Sequence, residues 1–245
     1  MTKTELLKMS WMEFEEARHR TDLVIVPVGS IEVFGPHLPL GSDTLIAGRL
    51  AIRLSEMIKA LVAPVVPVGY TRPLMEFPGS LTVTPDQLGQ YLQGICTSLI
   101  GWGFKKILFF NTHRRNVPII DHLCLEYLKP QNIKAAQIFW WQMVENNGRQ
   151  LMTSPDSPYG HAGEACTAVL MEVAPELVNM NAAVQGKVKK KSRYGEIFSY
   201  SSYRENADSG VIGYPDQATP EKGREVVKIC LERIAGFVQE EMGEN

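Results

Sequence analysis

Three short segments gather the residues whose chemistry stands out. Glu32, His37 and Asp43 fall within twelve residues, interrupted by Gly35, Pro36, Pro39 and Gly41, which force the chain to fold back rather than run extended. A second segment, NTHRRN, carries His113 and Arg115, and a third runs from Trp140 to Glu164 and includes His161. Carboxylate oxygens and imidazole nitrogens together suit Zn²⁺, Mn²⁺ or Fe²⁺, and no thiols stand close enough for a structural zinc site. The chemistry expected of such a set is that of a catalytic divalent metal. Each residue also has an ordinary alternative: Ser42 or Asp43 as a helix cap, His113 as a solvated loop residue, Glu164 as a partner of a helix dipole.

The elements around these segments decide whether they can meet. Leu23 to Val28 is a short valine-rich run that reads as a strand buried on both faces, and DTLIAGRLAIRLSEMIKA behind it reads as a helix. Leu61 to Val68 reads as an edge or irregular strand because of Pro64 and Pro67. Thr84-Pro85-Asp86 opens a helix through Trp102; KILFF at Lys106 to Phe110 is a buried strand, Val117 to Tyr127 a helix, and Asn132 to Trp141 a further strand. Ala162 to Val173 reads as another helix, and Thr219-Pro220 opens a last one to about Met242. This βαβαβαβ rhythm predicts a mostly parallel sheet with helices on both faces. Ligands of such sheets bind beyond the carboxyl ends of the strands, where all three segments fall. The polar stretch from Asn179 to Ala218 reads as a long functional loop or a subunit contact.

Composition sets the outer bounds. With 245 residues, 44% hydrophobic and 21% charged, the chain is expected to form a single domain, residues 1–245, around a real core. A net charge of -2 gives no field for nucleic acid. The cluster Lys187, Lys189 to Lys191 and Arg193 reads as a solvated face. Four scattered cysteines read as free thiols in a reducing compartment, and no signal peptide or membrane span is apparent, so the expected location is cytoplasmic.

Four stretches, VPVGSIEVFGPHLPLGSDTLIA, the strand leading into NTHRRN, GHAGEACTAVLMEVAPELV and, between them, GYTRPLMEFPGSLTVTPDQL, resemble the conserved blocks and loop of the creatininase family, in order and over about two-thirds of the chain. The resemblance implies a three-layer α/β/α sandwich, homo-oligomeric assembly and hydrolysis of cyclic amides or related small molecules at a divalent metal centre, usually of two ions. Glu32, Asp43 and His113 match metal ligands. His161 matches a catalytic histidine, read here as the proton donor to the leaving nitrogen. Glu164 is read as a fourth ligand or the base, and His37 as orienting a ligand rather than touching the ion.

Two departures matter. Phe34 stands where the family has a histidine ligand to the second metal, and Arg115 where creatininase has a glutamate ligand. Neither has a lone pair to donate, so one ion rather than two is expected. Arg115 is instead read as a partner for an anionic substrate group, and Trp141, with Trp140, as a wall of the pocket. The alternatives are ring-opening of a cyclic sugar-derived ketone, with a C–C bond broken, and a non-catalytic relative whose second metal site is dismantled.

Overall fold

β1, Leu23–Val28, is buried at every position, as its unbroken apolar run requires. Around it the computed structural model, which describes residues 3–186 and 202–243, places β2 (Leu61–Val62), β3 (Lys106–Asn111) and β4 (Lys134–Phe139) in a fully parallel sheet of order β2-β1-β3-β4. Side chains alternate between two apolar cores. Leu23 and Ile25 of β1 and Leu108 and Phe110 of β3 face one, while Val24, Val26, Ile107 and Phe109 face the other.

The helices divide accordingly. The second core is covered by α1 (Trp11–Arg18), α3 (Pro85–Gly101) and α4 (Val117–Leu123). The first is covered by α2 (Ser42–Ile58), α5 (Trp140–Gly148), α6 (Glu164–Val173) and α8 (Pro220–Glu241), with the short α7 (Tyr203–Asn206) elsewhere. The result is the expected three-layer α/β arrangement. Among the described residues no helix is long and apolar enough to cross a membrane.

Several boundaries shift for physical reasons. The Leu61 to Val68 run pairs as a ladder only at Leu61–Val62, with one further bridge from Val66 to Val28, because Pro64 and Pro67 cannot donate. The strand expected to reach Trp141 ends at Phe139, so Trp140 and Trp141 open a helix. The helix after NTHRRN relaxes into a π turn over Cys124–Leu128. Ser42 and Asp43 do not cap α2: Gly41 holds the cap position, and Ser42 Oγ donates to the Pro39 carbonyl at 2.6 Å. The lysine cluster from Lys187 to Arg193 lies outside the described residues.

Connectivity fixes where a site can form. From β1 the chain turns to one side to make β2, then crosses to the other side to make β3. The crevice beyond Val28 and Asn111, which are register partners, is the switch point where parallel sheets bind their ligands.

Candidate metal centre

Three loops enter that crevice. Gly29 ends β1 against the first turn of α2; a β-carbon there would stand 2.5 Å from the Thr44 Cα, so only glycine allows the approach that sets Asp43 beside Ser30. Ser30 Oγ donates to Asp43 Oδ2 at 2.8 Å. Thr112, just past β3, donates through its hydroxyl to the Asp43 carbonyl at 2.8 Å, which fixes the next residue, His113. Asn116 ties the loops together: its amide donates to the Gly29 carbonyl at 3.0 Å, and its oxygen accepts from the Tyr70 amide at 3.0 Å.

Glu32, Asp43 and His113 converge, each offering one ligand atom within 4.8 Å of the others, and all three are buried. His113 Nδ1 lies 3.0 Å from Glu32 Oε2 and 3.2 Å from Asp43 Oδ2. Yet among the described residues Asp43 Oδ1 has no hydrogen-bond partner, and the His113 contact to Glu32 Oε2, though short, does not have hydrogen-bond alignment. Buried carboxylate oxygens without partners are costly, and two in one place are a donor set suited to a cation.

The electrostatics agree. Burial and the charge of Glu32 both push the Asp43 pKa up. Burial would also raise Glu32, but His113 and His161 outweigh it and hold that carboxyl low. Burial opposes charge on His113, and the two carboxylates overcome this, raising it to about 10. With no ion bound, His113 therefore carries the positive charge that the carboxylates require.

His161 arrives from the turn before α6. Its Nε2 donates to Glu32 Oε1 and its Nδ1 to the Gly210 carbonyl, both at 3.0 Å. Both ring nitrogens face acceptors only, so the ring is an imidazolium; burial disfavours that charge, and Glu32 with the carbonyl outweighs burial and raises the pKa. Gly210 adopts φ +75°, and a β-carbon on it would meet Val33 at 2.3 Å. Phe34, 1% exposed, stacks on the His161 ring at 4.4 Å.

The remaining expected residues lie apart from the trio. His37 is buried and donates from Nε2 to Thr167 Oγ1 at 2.9 Å, with its pKa lowered to about 4 by burial. Glu164 is not among the converging side chains. Its oxygens accept from the Thr153 and Ser154 amides and from Lys222 Nζ, and although burial alone would raise its pKa, these donors hold it down. The structure thus gives the Glu164 carboxylate a tie between α6, α8 and the preceding loop, in place of the ligand or base expected from sequence. Trp141 packs at the margin of the first core against Trp140. Arg115 is exposed and lines a groove of about 610 Å³ with Tyr70, Asp86 and Glu126.

Asn116, Tyr203 and Gly210 were not singled out in the sequence. Asn116 carried a signal, since a side chain with both donor and acceptor closing NTHRRN is suited to bridging loops. Tyr203 and Gly210 carried none, lying in a stretch without periodicity.

The creatinine amidohydrolase family model matches residues 7–238. The chain belongs to the creatininase family. It is 26% identical to creatinine amidohydrolase of Pseudomonas putida over 96% of this chain and 95% of that one. It is 30% identical to the mycofactocin precursor peptide peptidase of Mycolicibacterium smegmatis (86% and 84%), and 24% identical to the 3-dehydro-scyllo-inosose hydrolase of Thermotoga maritima (96% and 82%). A manganese creatininase superposes with a TM-score of 0.85 at 24% identity over 99% of this chain and all of that one. A Bacteroides fragilis structure described as a putative creatinine amidohydrolase gives 0.83 at 28%, over 100% and 98%. These creatininase-family relatives are hydrolases, and so is this chain.

Proposed function

We propose that the protein hydrolyses a C–N bond in a small cyclic amide or a closely related amide, using one divalent ion held by Glu32, Asp43 and His113, with His161 as proton donor. The observation that carries this reading is the buried trio with under-satisfied carboxylate oxygens, set directly against an imidazolium.

The chemistry of the residues present suits a divalent ion. His113 Nε2–H donates to the Tyr70 carbonyl at 3.1 Å, so in the neutral ring the lone pair is on Nδ1 and points at the carboxylates. Ser30 Oγ steadies Asp43 by donating to Oδ2, the oxygen nearest His113. A divalent ion there supplies polarisation of a carbonyl and a more acidic water. His161, whose Nε2 proton is shared with Glu32, delivers that proton to the departing nitrogen, and Glu32 retains the negative charge that stabilises the ring before transfer. Phe34 closes one face of His161 to solvent.

One ion, rather than two, follows from Phe34, which fills its position with an apolar ring, and from Arg115, which is a fixed cation on an exposed groove. The ligand set suits zinc, manganese and iron alike.

A second reading has one supporting observation, the similarity to an inosose hydrolase: the same centre would open a cyclic ketone with carbon as leaving group. The deciding experiment incubates metal-loaded and metal-stripped protein with cyclic amides, short peptides and cyclic diketones and identifies products by mass spectrometry. Amide turnover that depends on the ion is expected. Turnover of ketones alone selects the second reading, and equal rates with and without the ion reject the metal assignment.

A further inference from the structure

Tyr203 lies outside the signature blocks, yet it meets the site directly. Its ring stands edge-on to His161 at 5.6 Å and to Phe77 at 6.3 Å. Phe34 and Tyr203 thus both pack on the one imidazole. The segment bearing Tyr203 is docked on the 72–80 loop: Ser202 Oγ donates to the Glu76 carboxylate, Arg204 donates to the Glu76 carbonyl, and the Arg204 guanidinium sits 5.6 Å over the Phe77 ring.

The hydroxyl is the informative atom. Tyr203 Oη is buried and, among the described residues, has no hydrogen-bond partner. Phenol hydroxyls in protein interiors are almost always satisfied, because an unpaired donor carries a desolvation cost that a phenylalanine would avoid. Packing alone therefore accounts for the ring but not for the oxygen. Burial also pushes the phenol's pKa well above its usual value, which favours keeping the proton on the oxygen.

From the contact with His161 and the unpartnered buried Oη, we infer that the Tyr203 hydroxyl is a substrate-contacting hydrogen-bond donor, aimed at the carbonyl oxygen of the amide that His161 protonates at nitrogen. The inference rests on the amide reading above and adds the group that holds the substrate's oxygen. A neutral donor suits that task, since it strengthens its bond as the oxygen gains negative charge and leaves the His161–Glu32 proton where it is needed. No bond to Tyr203 is made or broken.

The test uses the full-length metal-loaded protein as wild type, Tyr203→Phe and Tyr203→Leu. Thermal unfolding comes first: Tyr203→Phe is expected to match wild type or melt slightly higher, because it removes an unsatisfied group and keeps the ring. A fall of several degrees would mean that the hydroxyl has a partner within the protein, and would overturn the proposal. Kinetics on the amide panel come second. Loss of one donor to a developing oxyanion predicts a kcat lower by about 100-fold or more with KM changed only slightly. Tyr203→Leu, which also removes the ring from His161, is expected to shift the pH profile as well, a change that Tyr203→Phe does not share. If wild type turns over an amide and Tyr203→Phe does so within about twofold, this proposal fails and the amide reading stands. If wild type turns over none of the panel, both fall together.

Discussion

His113 Nε2 donates to the Tyr70 carbonyl, and that one bond decides what the other ring nitrogen can do. With Nε2 committed as a donor, Nδ1 has two possible states: protonated, answering Glu32 and Asp43, or bare and available to an ion. On the metal reading proposed above, the centre would exchange a proton for a metal at one nitrogen.

That exchange is measurable. Binding of Zn²⁺ or Mn²⁺ near neutral pH is expected to release about one proton per ion as Nδ1 is deprotonated. Calorimetry in buffers of different ionisation enthalpy reads the number directly. No proton release would contradict the assigned state of His113.

The metal-free protein should also have an alkaline weakness. His113 has a folded pKa raised from 6.5 to about 10, so the stability it contributes is complete below 6.5 and fades as pH climbs through about 10. Thermal melts of stripped protein are expected to fall on that limb, and His113→Gln is expected to flatten it. Bound metal should abolish the effect in the wild type.

Metal content separates ligands from supports. His113→Ala and Asp43→Asn are expected to leave purified protein without its ion by elemental analysis. Ser30→Ala, which removes only the donor to Asp43 Oδ2, should weaken affinity about 10–100-fold, as loss of a group supporting a ligand usually does.

Glu164 and Lys222 form a structural tie, and their variants should behave as such. Lys222→Met strands a buried carboxylate and is expected to cost about 3 kcal/mol of stability while metal content stays normal. The Glu164 pKa is depressed below its ordinary 4.5, so the tie contributes above that pH and is lost as pH falls below it. Glu164→Gln should therefore weaken the protein at neutral pH and remove that acid-dependent loss. An ion-free Lys222→Met protein would instead return Glu164 to the centre.

The single-ion reading has a direct check. Phe34→His is expected to leave about one ion per chain, because one added imidazole does not make a second ligand set and Arg115, exposed on its own groove, offers no lone pair. Elemental analysis against protein concentration reads the ratio, and two ions per chain in the wild type would sink the single-ion reading.

The sheet was legible because Leu23 to Val28 and Ile107 to Phe110 are short apolar runs rich in β-branched and aromatic residues, the pattern of strands covered on both faces. Glu32, Asp43 and His113 were legible as a group for the same reason: each follows a strand end or opens the next helix, and parallel topology brings those places together. Glu164 was misread because a glutamate at a helix start looks the same whether it faces a metal or a lysine, and Lys222 lies 58 residues further on. Trp141 was misplaced because an apolar run through Ile138 to Trp141 has no period that marks where the strand stops and α5 begins. Tyr203 and Gly210 were silent, since contacts made by an irregular segment leave no pattern along the chain.

The separations within the centre bear on how the chain folds. Asp43 and His113 are 70 residues apart, and Glu32 and His161 are 129 apart. No local turn or hairpin can assemble them; β1 must first pair with β3 across the whole α2–β2–α3 excursion, a slow non-local step. An ion therefore cannot template the early chain as it does in small zinc modules. On the metal reading it would be captured late, by a sheet already built, so the folding route is expected to be much the same in chelator as in zinc or manganese, with the ion slowing the return journey.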